Sequence, residues 1–244
     1  PTVEANDFAL SVADIEARIT PRTRMFVMVS PNNPTGAVTP PAVIRQIADL
    51  AIKHDILIIA DEIYAKMIYA PNEHLSIATL PGMKGRTITL NGFSKTYAMT
   101  GWRVGYLAAP LDFVEKVTEP RHTLSINTCT MSQHAALAAL TGPQDVPTQK
   151  CAEFQGKRDQ VMAVMNAIPG LVCPRPQGAF YVFPDISCAF GKSHHGVKIG
   201  NDVEFCSVLL EAKGVACVPG SAFGEPRALR ISYTCPSAQL PVGL

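Results

Sequence analysis

No apolar run in this chain approaches the roughly 20 residues that a bilayer-spanning helix requires, so a helical membrane segment is not expected. Charge of one sign is not in excess either. The 21 Lys and Arg against 20 Asp and Glu leave a net charge of +1, with the basic residues scattered, which makes nucleic acid or an anionic membrane surface a poor partner. The 7 cysteines contain no C-x-x-C pair and read as reduced, mostly buried thiols of a cytosolic protein rather than a disulfide framework. No G-x-G-x-x-G nucleotide fingerprint occurs, and the 6 histidines, His194-His195 included, have no metal-site spacing. Internal repeats, low-complexity tracts, a helix-turn-helix and a basic stripe are also missing. The opening "PTVEANDFAL" has neither an initiating Met nor a basic-then-apolar leader, so the chain is expected to begin inside a longer protein.

What is present is enough apolar material for a sizeable core: 244 residues, 47% hydrophobic and 17% charged. "RMFVMVS" (24–30) is a β-branched apolar run stopped by the Pro- and Gly-containing loop "PNNPTG". From Pro41 to His54, Val43, Ile44, Ile47, Leu50 and Ala51 recur at helical spacing, with Pro40 and Pro41 suited to a first turn. "ILIIA" (56–60) has the length and continuity of a strand covered on both faces and ends at Asp61-Glu62; "RTITLN" (86–91) repeats the pattern. Alternating strands and helices predict an α/β fold with a mostly parallel sheet flanked by helices. In such sheets ligands sit outside the carboxyl ends of the strands, so the residues after Ser30-Pro31, Asp61 and Asn91 are expected to converge. "TMSQHAALAALTG" (130–142) reads as a helix closed by Gly142, a Pro-containing stretch follows to Pro147, and 150–168 reads as a longer, more charged helix. "GAFYVFP" and "VACVPGSAFG" give short strands broken by Gly and Pro. A boundary between Thr141 and Thr148 would divide a large domain, 1–145, from a smaller α+β domain, 146–244.

Chemistry concentrates in "NGFSKTYAMTGWRVGY" (91–106). A lysine at the mouth of a sheet beside other cations is held in its nucleophilic amine form, and Lys95 occupies such a strand end. Arg103, eight positions on, has the guanidinium that grips phosphate or carboxylate bidentately. Asp61 closes a buried apolar strand, where a lone carboxylate is costly without a cationic partner. A protonated pyridine nitrogen is such a partner. Amine, phosphate-binding cation and strand-end carboxylate together describe a site for pyridoxal 5′-phosphate.

The ordered segments "SPNNPTGAV", "ADEIYAKMIY", "NGFSKTYAMTGWRVGYLAAP", "PQGAFYVFP", "GVACVPGSAFG" and "LRISY" resemble the class I aminotransferases of the aspartate aminotransferase fold, from about Ser11 to Tyr233. The resemblance implies a fold type I pyridoxal-phosphate-dependent transferase, a homodimer, acting on an L-amino acid and a 2-oxo acid. Aspartate with 2-oxoglutarate is the first expectation; aromatic amino acids or alanine come next. It implies that Lys95 forms the internal aldimine and shuttles the Cα proton, that Asp61 pairs with the pyridinium, and that Tyr64 and Asn33 bond the phenolic oxygen. Asn33 would also touch the substrate carboxylate, Ser94 and Arg103 would hold the phosphate, and Arg230 would clamp the substrate α-carboxylate.

Each residue also has a plainer reading. Lys95 reads alone as a solvated surface lysine, Asp61 as a turn cap, Tyr64 as a core residue with a satisfied hydroxyl, Asn33 as a shaper of its turn, and Arg230 as the partner of a surface carboxylate. Trp102 reads as core, His194-His195 as a flexible loop, and the cysteines as inert packing. Two other functional classes stay open: a lyase of the same fold, and a catalytically inactive fragment or regulator domain. Two departures from the family pattern bear on this. Gly92 stands where the family often has Ser, and by the resemblance the segment expected before "PTVEANDF", with its phosphate loop, stacking aromatic ring and cross-dimer tyrosine, is not in this sequence, while the helices expected after "LRISY" are missing or replaced. The chain by itself is expected to fold but to be a poor catalyst.

Overall fold

The structure, a computed structural model, describes residues 7–240. The opening "PTVEAN", part of the stretch read above as lacking a leader, and the closing "PVGL" lie outside the described residues. The described chain forms two compact units. The first comprises Ala9–Pro31 and Val38–Lys150; the second comprises residues 7–8, Asn32–Ala37 and 151–240.

The first unit is built on a four-stranded sheet, with helix α1 (Val12–Arg18) preceding β1 (Met25–Val29) and α2 (Pro41–Lys53) preceding β2 (Leu57–Asp61). Strands β3 (Thr87–Gly92) and β4 (Gly105–Ala108) complete the order β1-β2-β3-β4. The first three strands are parallel, with Val29 opposite Asp61 and Asp61 opposite Leu90, while β4 returns antiparallel. This is the mostly parallel sheet expected from the sequence, with one antiparallel edge strand. Helix α2 begins with a proline, whose missing N–H costs nothing in a first turn. It buries Ile44, Ile47, Ala48, Leu50 and Ala51, a stripe at helical spacing, and all of these but Leu50 share a core cluster with Met28, Ile58 and Ala60 of the sheet. Only that face of β2 is fully buried; the alternate residues are half-covered, and Met25 and Val27 of β1 are exposed. The expectation of a strand covered on both faces is corrected accordingly. The β2–β3 connection carries a single 3-10 turn, Ile77–Thr79, among the described residues.

Helices α3 (Leu111–Ser125) and α4 (Thr130–Thr141) close this unit, and α5 (Asp145–Met165) runs through the division at Lys150/Cys151. The stretch to Pro147, read as a break, belongs to α5: a first-turn proline loses no hydrogen bond. In the second unit β5 (Tyr181–Val182), β9 (Leu229–Ser232) and β8 (Val218–Pro219) form an antiparallel sheet. The hairpin β6 (Ser193–His194) and β7 (Val197–Lys198) replaces the loop expected at His194-His195. Helix α6 (Asp202–Lys213) is capped by Asn201, whose side chain accepts from Glu204 N, and ends at left-handed Gly214. Ile186, Cys206 and Leu229 form one core cluster there, and the buried cations of α5 are satisfied: Lys157 donates to Cys235 O at 2.8 Å and Arg158 to Pro176 O at 3.0 Å.

Two sequence expectations fail at the surface. Trp102 is 49% exposed rather than core, because it lies in the 3-10 turn Thr100–Trp102 on the outside of the β3–β4 loop. Of the seven cysteines only Cys206 is buried, and Cys129 is exposed.

Candidate active site

Parallel pairing of β1, β2 and β3 brings their carboxyl ends to one end of the first unit's sheet, and the sequence supplies a polar residue at each stop. Asp61 is the last residue of β2 and is half-buried; its Oδ1 accepts the Ile63 N–H at 3.0 Å, which fixes the carboxylate at the strand end. The chain then turns twice, through Ala65 N to Glu62 O at 2.9 Å and Met67 N to Tyr64 O at 2.7 Å, and Tyr64 is 4% exposed. Both the acid and the phenol are therefore held by backbone hydrogen bonds and burial.

Strand β3 leads into the loop carrying Ser94, Lys95 and Arg103. Phe93 is its hub: its N–H reaches Val104 O at 3.4 Å, its carbonyl accepts from Tyr97 and Met99, and its ring packs with Met99 and Ala136. The loop's ends are closed by Gly92 opposite Gly105. A Cβ on Gly92 would stand 3.1 Å from Gly105 Cα and 3.3 Å from Val104 O, a close approach that glycine accommodates. Ser94 and Lys95 are half-buried in the turn. Arg103 is exposed, with a left-handed backbone at φ 49°, and its Nη1 donates to Thr100 O at 2.9 Å. Asp61, Tyr64, Ser94, Lys95 and Arg103 thus belong to one end of one sheet. The neighbouring Tyr106 phenol is pushed up in pKa, by burial first and then by the nearby Tyr97 and Glu62.

The remaining two predicted residues belong to the second unit and meet there. Arg230 Nη1 donates to Asn33 Oδ1 at 2.8 Å. Asn33 is placed by its loop: the Asn32 N–H reaches Ala37 O at 2.9 Å, and Gly36 O accepts from both Gln177 N and Gly178 N at 2.9 Å. Sequence reasoning missed what surrounds the guanidinium. Arg230 Cζ lies 4.6 Å from the Tyr181 ring centroid and 5.1 Å from that of Phe223, and its Nε is buried with no hydrogen-bond partner among the described residues. The aromatic residues of "FYVFP" and "SAFG" were the available signal, legible only once β5 and β9 pair. Also missed was a carboxylate–imidazole pair, Glu62 with His74, one residue beyond Asp61.

The donor set fits pyridoxal 5′-phosphate. One amine, one strand-end carboxylate, one buried phenol, a hydroxyl and a guanidinium are the complement that an aldehyde carbon, a pyridinium nitrogen, a phenolate oxygen and a phosphate require. Among the described residues no cluster of His, Cys, Asp and Glu could hold a metal ion, and no helix is long and apolar enough to cross a membrane.

The chain is similar to known aminotransferases. The aspartate/prephenate aminotransferase of Cereibacter sphaeroides is 42% identical over 229 residues, covering 93% of this chain and 57% of that protein. An aspartate aminotransferase of Rhizobium meliloti is 40% identical over 98% of this chain and 59% of its own length. Among solved structures, the aromatic aminotransferase of Pyrococcus horikoshii superposes with a TM-score of 0.91 at 38% identity, over 100% of this chain and 64% of that one. The chain thus spans about three-fifths of the length of such relatives. The sequence model of aminotransferase class I and II matches residues 1–244, and the chain belongs to that family.

Proposed function

We propose that the protein containing this chain is an aminotransferase that moves an amino group between an L-amino acid, aspartate first, and a 2-oxo acid such as 2-oxoglutarate. The observation that carries the reading is the position of Lys95 and Asp61 after adjacent parallel strands of one sheet, in a family whose cofactor is pyridoxal 5′-phosphate. The bound cofactor supplies an electron sink that withdraws charge from the substrate Cα. Lys95 Nζ would anchor the cofactor covalently and, once displaced by the substrate amine, would be the base that takes the Cα proton. The Asp61 carboxylate would accept a hydrogen bond from the protonated ring nitrogen and keep that proton in place. Tyr64 Oη would donate to the phenolic oxygen, a role the resemblance gives to Asn33 Nδ2 as well, and the Ser94 hydroxyl and Arg103 guanidinium would hold the phosphate. Arg230 binds the substrate carboxylate, its plane fixed by Tyr181 and Phe223 and one nitrogen already engaged by Asn33. The reading includes domains at 1–145 and 146–244, a homodimer and a cytoplasmic location.

The test is product analysis with the full-length protein, aspartate and 2-oxoglutarate. Equal amounts of a new 2-oxo acid and glutamate are expected. Ammonia released without a new amino acid would place the protein among the lyases instead.

A further inference from the structure

Glu62 is a buried carboxylate that the reading above does not use. Its residue is 8% exposed, its Oε2 lies 3.1 Å from His74 Nε2, and its Oε1 is buried without a hydrogen-bond partner among the described residues. A carboxylate so placed is costly, because each buried unsatisfied oxygen forfeits its hydration. Such a group persists where its position or its charge serves the surroundings.

Its backbone is as constrained as its side chain. The Glu62 N–H extends the β2–β3 ladder to Leu90 O at 2.9 Å, and its carbonyl accepts from Ala65 N at 2.9 Å. Asp61 precedes it and Tyr64 follows two residues later, so any shift of Glu62 moves both. His74 is delivered by a segment anchored on Tyr69, which is fully buried and whose carbonyl accepts from both the Asn72 N–H and Asn72 Nδ2 at 3.0 Å. The imidazole is itself mostly covered, at 24% side-chain exposure. With its proton on Nε2 it donates to Glu62 and ties the 71–74 segment to the turn after β2. Glu62 also lies near enough to Tyr106 on β4 to add, after burial and Tyr97, to the upward push on that phenol's pKa.

We propose that Glu62 and His74 are a positioning couple for the cofactor half of the site: His74 holds the Glu62 carboxylate, which fixes the turn presenting Asp61 and Tyr64 and sets a second negative charge behind Asp61. In a region of low dielectric, that charge strengthens proton retention by whatever cation Asp61 pairs with. The inference rests on the pyridoxal-phosphate reading of the same site.

The test uses the full-length protein with the variants His74→Ala, His74→Gln and Glu62→Gln. Pyridoxal phosphate is titrated in, and three quantities are read: its dissociation constant, the pH midpoint of the bound cofactor's absorption band, and the Tm of the cofactor-free protein. His74→Ala is expected to weaken cofactor binding about tenfold, the loss of one charge-assisted hydrogen bond, and to displace the pH midpoint, while His74→Gln, which keeps a donor, restores both to within about twofold of wild type. Glu62→Gln, which keeps the size and removes the charge, is expected to displace the midpoint, and it decides the question if His74→Ala does not fold. A lowered Tm with unchanged binding and an unchanged midpoint would make the pair purely structural and overturn the inference. A wild type that takes up no pyridoxal phosphate at all would instead sink the reading on which it rests.

Discussion

Arg230 and Asn33, 197 residues apart in sequence, are joined by a 2.8 Å hydrogen bond from Nη1 to Oδ1. The bond orients a guanidinium already enclosed by two rings, so on the proposed reading Asn33 would act on substrate through Arg230. Asn33→Ala in the full-length protein is expected to raise KM for the amino acid about tenfold, the cost of one hydrogen bond to a charged group. Steady-state kinetics check it; an unchanged KM would remove Asn33 from the carboxylate site.

Gly36 holds that loop. Its φ is +70°, and a Cβ there would stand 2.7 Å from Pro176 Cβ and 2.8 Å from Gly178 O. Gly36→Ala therefore combines backbone strain with a clash and should destabilise the protein by about 1–3 kcal/mol, measured by denaturant unfolding. Part of the loss should appear as a raised KM, because the same loop carries Asn33.

Asp61→Asn keeps the acceptor of the Ile63 N–H and removes the charge. The fold should survive, with Tm little changed, while turnover falls about a hundred- to a thousandfold, as when a key electrostatic group is lost. A near-normal turnover number would contradict the pairing of Asp61 with the ring nitrogen.

Thiol reactivity should separate two cysteines by pH. Hydrogen bonds from the Ser132 and Met131 backbone at the start of α4 lower the pKa of exposed Cys129, so its thiolate forms below the ordinary thiol range. Burial, with Cys206 nearby, pushes Cys217 up to about 11, so its thiolate is lost as pH falls below that value. Iodoacetamide at neutral pH should label Cys129 first and Cys217 only as the pH approaches 11, followed by peptide mapping. Faster labelling of Cys217 at neutral pH would contradict the two environments.

The sequence was most legible where one local rule acted alone. Strands β1 and β2 were continuous apolar runs, β3 alternated Thr87 and Thr89 with Ile88 and Leu90, and α2 showed its stripe because one face alone meets the sheet. Helix α3 escaped notice because Pro120 interrupts it and its residues, none of them buried, carry no stripe. Helix α6 was missed despite the Asn201 cap and the terminal Gly214, which together mark both ends. Lys95, Asp61 and Arg103 were readable from charge set at strand ends. The rings around Arg230 and the Glu62–His74 pair were not, because they depend on pairings between segments that no local period encodes.

The central claim is that Lys95 Nζ is the covalent anchor of the cofactor. Borohydride reduction of the full-length protein with pyridoxal phosphate, followed by peptide mapping, tests it most directly. One equivalent of reduced cofactor on the peptide containing Lys95, and none in Lys95→Ala, is the result predicted. Label spread over exposed lysines such as Lys53, Lys84 and Lys116 would contradict it.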